Sequence, residues 1–78
     1  MMNIFPQRLG EICLNNNFKW VLDGVEITHL SHLEVRIGGH WIYGIVFEHK
    51  ARLYWSSWED CVVVDISLGI KARWSDRK

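Results

Sequence analysis

The stretch from Glu34 to His49, EVRIGGHWIYGIVFEH, constrains the fold more than any other part of the chain. Side chains of different character alternate on both sides of Gly38 and Gly39, and this alternation has the period of a β-strand. Adjacent glycines supply the positive φ angles that a tight hairpin turn needs. The sequence therefore predicts a β-hairpin whose two strands meet at the glycine pair.

The second strand of this hairpin carries a heavy aromatic load. Its large side chains share one face: Trp41, Tyr43, Ile45 and Phe47. A chain of 78 residues buries only about 60% of the surface that it exposes when unfolded, so a few large side chains must fill its core. We therefore expect this face to build the core. Gly44, on the other face, predicts a bulge or a close approach of another segment.

Short strand-like runs separated by turn signals continue along the rest of the chain, for example at Asp23-Gly24. This spacing predicts one all-β domain over residues 1–78, with an ordered core over about 8–74. We expect a small SH3-like barrel of about five to seven short antiparallel strands, because closure removes exposed sheet edges. Residues 61–64 are β-branched and apolar, which favours a buried strand. Asp65 is a good N-cap and predicts one helical turn near residues 65–68.

Charge and cysteine content narrow the classes of function. Nine Lys and Arg balance nine Asp and Glu, so the formal net charge is zero. Nucleic-acid binders usually carry a basic excess, and a near-zero charge leaves self-association into a homodimer open. Cys13 and Cys61 are the only cysteines. The N-terminus shows no signal-peptide pattern and no apolar run is long enough to span a membrane, so we expect a cytoplasmic protein with no membrane partner.

Several short motifs between Arg8 and Trp74 resemble those of a small uncharacterised bacterial family, catalogued as a domain of unknown function. The matching positions are Gly10, Ile12 and Asn15; Leu33-Glu34-Val35; Gly39, Trp41, Ile42, Gly44, Val46 and Glu48; Tyr54-Trp55; and Gly69, Ile70, Ala72 and Arg73. Members of that family are associated with plasmids, conjugative elements and phages. The resemblance brings no catalytic residue with it. It implies an accessory protein of a mobile element that acts by binding.

The sequence gives little support to catalysis or metal binding. The candidate acids are Asp23, Glu26, Glu59, Asp60 and Asp65, and none stands beside His or Cys in a nucleophile motif. A barrel of this size also leaves little room for a ligand cavity, so we expect no enzyme and no cofactor. His29 and His32 form the only close histidine pair, whereas a structural zinc site needs paired ligands on both sides. We therefore expect no metal site.

The loop that follows Tyr54 contains the strongest candidates for protein binding. Trp55 and Trp58 are aromatic anchors, and Glu59 and Asp60 form an acidic rim that favours a partner with a basic surface. Two interpretations of Trp58 stay open: an exposed anchor, or a cap folded over the end of the barrel. Another hypothesis is an aromatic cage for a cationic side chain, built from Tyr43, Tyr54, Trp55 and Trp58.

Our leading hypothesis is a non-enzymatic protein-binding module that uses Tyr54, Trp55, Trp58, Glu59 and Asp60. Given the family resemblance, it would be a phage or mobile-element protein that inhibits a host or defence complex. The alternative is a nucleic-acid-binding SH3-like barrel with an outward basic face, formed by Arg36, Arg52, Lys71 and Arg73. In that alternative, exposed rings of Trp20, Tyr54, Trp55 or Trp74 would stack on bases.

Overall fold

The computed structural model describes residues 7–76 of the chain. Residues 1–6, on which the signal-peptide expectation partly depends, and residues 77–78 lie outside that range. The described residues form eight strands and no helix. The strands are β1 (Ile12–Leu14), β2 (Trp20–Leu22), β3 (Val25–Glu26), β4 (His32–Ile37), β5 (His40–His49), β6 (Arg52–Ser57), β7 (Val62–Asp65) and β8 (Ala72–Trp74). The prediction of an all-β fold is confirmed. No helix in this part of the chain could span a membrane.

The strands form two antiparallel sheets. The small sheet has the order β1-β2-β3, and the large sheet has the order β7-β6-β5-β4-β8. Strands β4 to β7 follow one another as a meander, and β8 returns to pair with β4 on its far side.

Two predicted turns are confirmed. Gly38 and Gly39, between β4 and β5, have φ angles of 56° and 80°. Asp23 and Gly24, between β2 and β3, have φ angles of 52° and 81°. Both pairs therefore have the left-handed backbone that joins antiparallel strands through two residues.

The two sheets are joined at one corner. The Ile12 amide donates to the Ile70 carbonyl at 2.8 Å, and the Ala72 amide donates to the Gly10 carbonyl at 2.9 Å. No described strand joins β3 to β7 on the opposite side, so the sheets do not close into a barrel. The prediction of a closed barrel is therefore wrong. Strand β3 has only two residues, both exposed, and offers too short a ladder for closure.

The core lies between the two sheets. Ile12 and Leu22 from the small sheet pack in one cluster with Leu33, Val46 and other buried side chains of the large sheet. The Trp74 indole belongs to β8, yet its Nε1 donates to the Leu22 carbonyl of β2 at 3.0 Å. The core cluster therefore depends on both sheets.

Strand β5 faces the opposite way from our expectation. Val46 and Gly44 are buried, and Ile42 packs against the core. Trp41, Tyr43, Ile45 and Phe47 are half-buried on the other side and do not belong to the core cluster. The assignment of these four side chains to the core is therefore wrong.

The cause of this orientation is the fully buried indole of Trp55, which lies against Gly44. A Cβ atom on residue 44 would lie only 2.5 Å from Trp55 Nε1 and from the Ser56 carbonyl oxygen. The close approach predicted at Gly44 is thus confirmed, and the continuous pairing through Leu33 and Gly44 shows that β5 has no bulge there.

The predicted helical turn over residues 65–68 is absent. Asp65 is the last residue of β7, pairs with Tyr54 and lies 3.6 Å from the Arg52 guanidinium. Its carboxylate therefore serves a cross-strand contact instead of a helix cap. Strand β7 is also an edge strand with Val63 exposed, so the prediction of a buried strand is wrong.

Candidate functional site

The large sheet has one side that the small sheet does not cover, and we call it the outer face. Paired residues of antiparallel strands share a face, so the register defines its members. Its apolar side chains are Trp41, Tyr43, Ile45, Phe47, Tyr54 and Val63. All eight described strands belong to the two sheets, so none of them forms a second layer over this face.

The outer face exists because β5 alternates two apolar sets and the set that contains Gly44 faces the core. The register then sets the neighbours of the aromatic rings: Trp41 lies opposite Arg36, Tyr43 opposite Glu34, and Phe47 opposite Tyr54. Sequence reasoning missed Trp41, Ile45 and Phe47 as surface residues. The signal that could have identified them is Gly44, because a glycine leaves space on its own side of the strand for a large side chain, here Trp55, to pack in the core.

One corner of the outer face is basic, and we call it the basic corner: Arg36 and Arg73 lie over the Trp41 ring, and Lys71 lies beside Arg36. The guanidinium carbons of Arg36 and Arg73 lie 5.3 Å and 4.3 Å from the centre of the Trp41 ring. Lys71 lies beside Arg36, whose amide donates to the Lys71 carbonyl at 2.9 Å. Arg73 Nε also donates to Glu34 Oε1 at 2.6 Å, so part of the positive charge is balanced.

The four basic residues predicted to bind nucleic acid therefore do not form one cluster. The structure brings Arg36, Lys71 and Arg73 together, whereas Arg52 lies on β6 beside Asp65. The predicted stacking rings divide in a similar way. Trp20 and Trp74 pack against the core, and among the proposed set only Tyr54 belongs to the outer face.

The two histidines of the His29-x-x-His32 pair have separate roles. His32 Nδ1 is hydrogen-bonded to the Tyr43 hydroxyl at 2.5 Å. His29 Nδ1 accepts a bond from the Glu48 amide at 3.0 Å, and its ring meets Phe47 edge-on at 5.9 Å. Within residues 7–76, no group of three or more metal-binding side chains comes together.

The predicted protein-binding loop is only partly at the surface. Trp55 is fully buried and its Nε1 donates to the Leu33 carbonyl at 3.1 Å, so its assignment to a binding site is wrong. Trp58 is 83% exposed, which excludes the interpretation that it folds back as a cap. Glu59 and Asp60 are exposed beside it, and Tyr54 is half-buried on the outer face.

Trp58 borders a concavity of about 210 Å³ just beyond the end of β6, next to Tyr43 and therefore one side-chain position along β5 from the basic corner at Trp41. We call it the Trp58 pocket, and its lining residues are Tyr43, Gly44, Ile45, Ser56, Trp58 and Glu59. Two members of the predicted aromatic cage, Tyr43 and Trp58, meet here. The other two do not, because Trp55 is in the core and Tyr54 lies outside the lining.

The fold and the site define a small two-sheet β-protein with an aromatic outer face, on which a basic corner lies close to a pocket with an acidic rim. No family model, no curated protein and no solved structure matches the chain. Its function is therefore argued from the chemistry of the outer face.

Proposed function

We propose that this protein is a non-enzymatic protein-binding module whose partner docks on the outer face. The observation that carries the proposal is the set of aromatic side chains on a sheet face that no described strand covers. Of the residues predicted from the sequence, Tyr54, Trp58, Glu59 and Asp60 remain in the proposed interface and Trp55 does not.

The composition of the outer face supports a protein partner. Trp, Tyr and Arg are the residue types that most often carry the binding energy of protein interfaces. On the outer face, Tyr43, Ile45 and Tyr54 lie on the central strands β5 and β6, and charged side chains lie on the flanking strands β4, β7 and β8: Arg36, Asp65 and Arg73. This arrangement of an apolar centre and a polar rim is typical of protein interfaces.

Part of the proposed interface is already ordered in the free protein. Arg73 is held by Glu34 and by the Trp41 ring, and the Tyr43 hydroxyl is held by His32. Ordering a flexible side chain on binding costs roughly 0.5–1.5 kcal/mol, and prior contacts reduce that cost. The acidic residues Glu59 and Asp60 would steer the partner so that a basic surface meets the Trp58 side of the face.

The biological context and the finer fold class are parts of the same proposal. The meander β4–β7 with β8 returned to β4 supports an open relative of the SH3-like barrels. The family resemblance supports a phage or mobile-element protein of the cytoplasm that inhibits a host or defence complex by covering one of its surfaces. Fold likeness alone does not define function, so the proposal depends on the outer face.

The test is affinity capture from nuclease-treated lysate of bacterial host cells, with the tagged full chain and matched variants. We expect Trp58→Ala and Tyr54→Ala to lose the captured partner. The control is Phe18→Ala, which removes an aromatic ring that is 68% exposed on the turn between β1 and β2, outside the outer face. A partner that survives both outer-face substitutions, or that is lost equally with the control, would overturn the proposal.

A specific observation also favours the second candidate, a nucleic-acid-binding protein. Arg36 and Arg73 lie over the Trp41 ring with Lys71 beside Arg36, and a ring flanked by cations is a common platform for single-stranded nucleic acid. Glu34 opposes this candidate because its carboxylate lies 2.6 Å from Arg73 Nε.

Binding of single-stranded DNA and RNA oligonucleotides at several salt concentrations separates the two candidates. Phosphate contacts would give an affinity that falls steeply with salt, by a slope of about −0.7 per contact in a logarithmic plot. Combined Lys71→Glu and Arg73→Glu substitutions would then abolish it. We expect no saturable binding of either oligonucleotide. A steep salt dependence that the charge reversal removes would show instead that the protein binds nucleic acid.

A further inference from the structure

The Trp58 pocket is too small for a typical organic ligand. Its volume is about 210 Å³, whereas pockets for drug-sized ligands generally measure about 300–1,000 Å³. It is open at the surface beside an indole that is 83% exposed. Its size and position therefore suit one side chain of a docked protein.

The lining of the pocket favours a cationic side chain. Tyr43 and Trp58 contribute aromatic rings, whose faces attract cations. Glu59 contributes a carboxylate, and Asp60 adds a second negative charge next in sequence. The Glu59 carboxylate would repel an anion, and it would bind a cation more strongly than a neutral donor because both partners of the contact are then charged.

Arginine fits this lining better than lysine. Its planar guanidinium stacks on aromatic rings and can donate two parallel hydrogen bonds to a carboxylate, which an ammonium group cannot do. The same sheet contains a similar contact of its own, since the Arg73 guanidinium carbon lies 4.3 Å from the centre of the Trp41 ring. Among residues 7–76, no cation lies over the Trp58 ring in this way.

The floor of the pocket is fixed by the rest of the fold. Tyr43 is hydrogen-bonded to His32 through its hydroxyl, and Gly44 lies directly on the buried Trp55 indole. The Trp58 side chain forms the exposed wall. A ligand would therefore need to order mainly the exposed side chains of Trp58 and Glu59, which limits the entropic cost of binding.

From these observations we propose that the Trp58 pocket is a receptor for a single arginine side chain of the protein partner. The guanidinium lies between the rings of Tyr43 and Trp58 and pairs with the Glu59 carboxylate. This inference rests on the proposed protein-binding function and specifies the chemistry of the partner at the Trp58 pocket.

The experiment uses the full chain, labelled with ¹⁵N, and small probes instead of the unidentified partner. Nα-acetyl-arginine amide is titrated into the protein and followed by NMR, with the neutral isostere Nα-acetyl-citrulline amide as the comparison. We expect the arginine probe to shift the Trp58 indole N–H and the amides of Ile45 and Ser56 in a saturable way. Citrulline should shift them little, because it lacks the charge.

A matched pair of variants tests the role of Glu59. Glu59→Gln should weaken binding of the arginine probe roughly tenfold, since a charge-assisted contact is lost. Glu26→Gln removes an exposed carboxylate from β3 and should leave the affinity unchanged. Unchanged dispersion of the remaining resonances shows that each variant is folded.

Each result bears on a separate claim. Equal shifts with arginine and citrulline, or no shifts with either probe, would overturn the arginine receptor. If affinity capture still yields a partner that depends on Trp58, the protein-binding function stands without it. Selective arginine binding without any captured partner would support the arginine receptor and contradict the proposed protein-binding function.

Discussion

Gly44 and Trp55 together decide which side of β5 faces the core. The buried indole occupies the space where a side chain on residue 44 would lie, and its Nε1 donates to the Leu33 carbonyl. Only glycine allows this contact. Because side chains of a strand alternate, the burial of Gly44 and Val46 turns Tyr43 and Ile45 towards the surface.

Substitution of Gly44 by alanine should therefore destabilise the protein. The new methyl group would lie 2.5 Å from the Ser56 carbonyl oxygen, which belongs to a strand and cannot move freely. Overpacking of this kind costs about 1–3 kcal/mol. Urea unfolding followed by tryptophan fluorescence measures the change in the free energy of unfolding.

The control for this prediction is His40→Ala, which shortens an exposed side chain at the start of the same strand. It should change the free energy of unfolding by less than about 0.5 kcal/mol. If Gly44→Ala unfolds at the same urea concentration as the wild type, the close packing of Trp55 on Gly44 does not limit stability.

The faces of β5 could not be predicted from the sequence because both are apolar. One face has Trp41, Tyr43 and Phe47, and the other has Ile42 and Val46. The size of the aromatic side chains favours burial of their face. Which face of β5 is buried, however, depends on Trp55 of the neighbouring strand β6. That contact is set by the pairing of Val46 with Trp55, which local periodicity does not reveal.

At the scale of the element, β7 is a strand with one unpaired edge. The Ile66 amide donates to the Leu53 carbonyl at 3.0 Å, so alternate residues along β7 bond to β6. By this alternation, the backbone N–H and C=O groups of Val62 and Val64 point towards β6. The same groups of Val63 and Asp65 point away from the sheet. No described strand pairs with that edge.

We expect β7 to mediate self-association at high protein concentration. An unpaired edge with exposed apolar side chains is a template for another strand, and a net charge of zero provides little repulsion. A second copy would add antiparallel to the edge through the amides of Val63 and Asp65. Val63→Lys should abolish this association, as measured by sedimentation velocity over a range of concentrations.

The matched control places lysine on the other free edge. Val25→Lys alters a side chain that is 55% exposed on the two-residue strand β3, which offers no ladder for pairing. It should leave self-association unchanged. Association that persists in Val63→Lys, or that Val25→Lys also abolishes, would show that β7 is not the contact.

The β-strand character of residues 62–64 was predictable, but their place at an edge was not. Three consecutive valines favour a strand on any side of a sheet. Whether such a strand is buried depends on the neighbour that pairs with it. The short β3 leaves β7 without a second neighbour, and this absence is a property of the whole fold.

At the scale of the molecule, the sequence predicted local features well and long-range ones poorly. The turns at Gly38-Gly39 and Asp23-Gly24 follow from backbone chemistry, and the close approach at Gly44 follows from its missing side chain. Barrel closure requires two strands distant in sequence to meet, and no local signal reports it. The candidate site could not be predicted fully for the same reason. Trp55 and Trp58 lie in similar sequence surroundings, yet Trp55 is buried and Trp58 is exposed.

The two sheets should unfold as a single unit, because they share one core. Leu22 of the small sheet is fully buried in the same cluster as Leu33, Val46 and Trp55 of the large sheet. Leu22→Ala should therefore lower the free energy of unfolding by about 2–5 kcal/mol. Hydrogen exchange in the variant should accelerate to the same extent in β1–β2 and in the most protected amides of β4–β6, because cooperative unfolding exposes both together.

Leu9→Ala, at a residue that is 87% exposed, should alter neither quantity beyond about 0.5 kcal/mol. If exchange accelerates in the small sheet while β4–β6 stay protected, the large sheet is stable by itself and the shared core is not what holds it together.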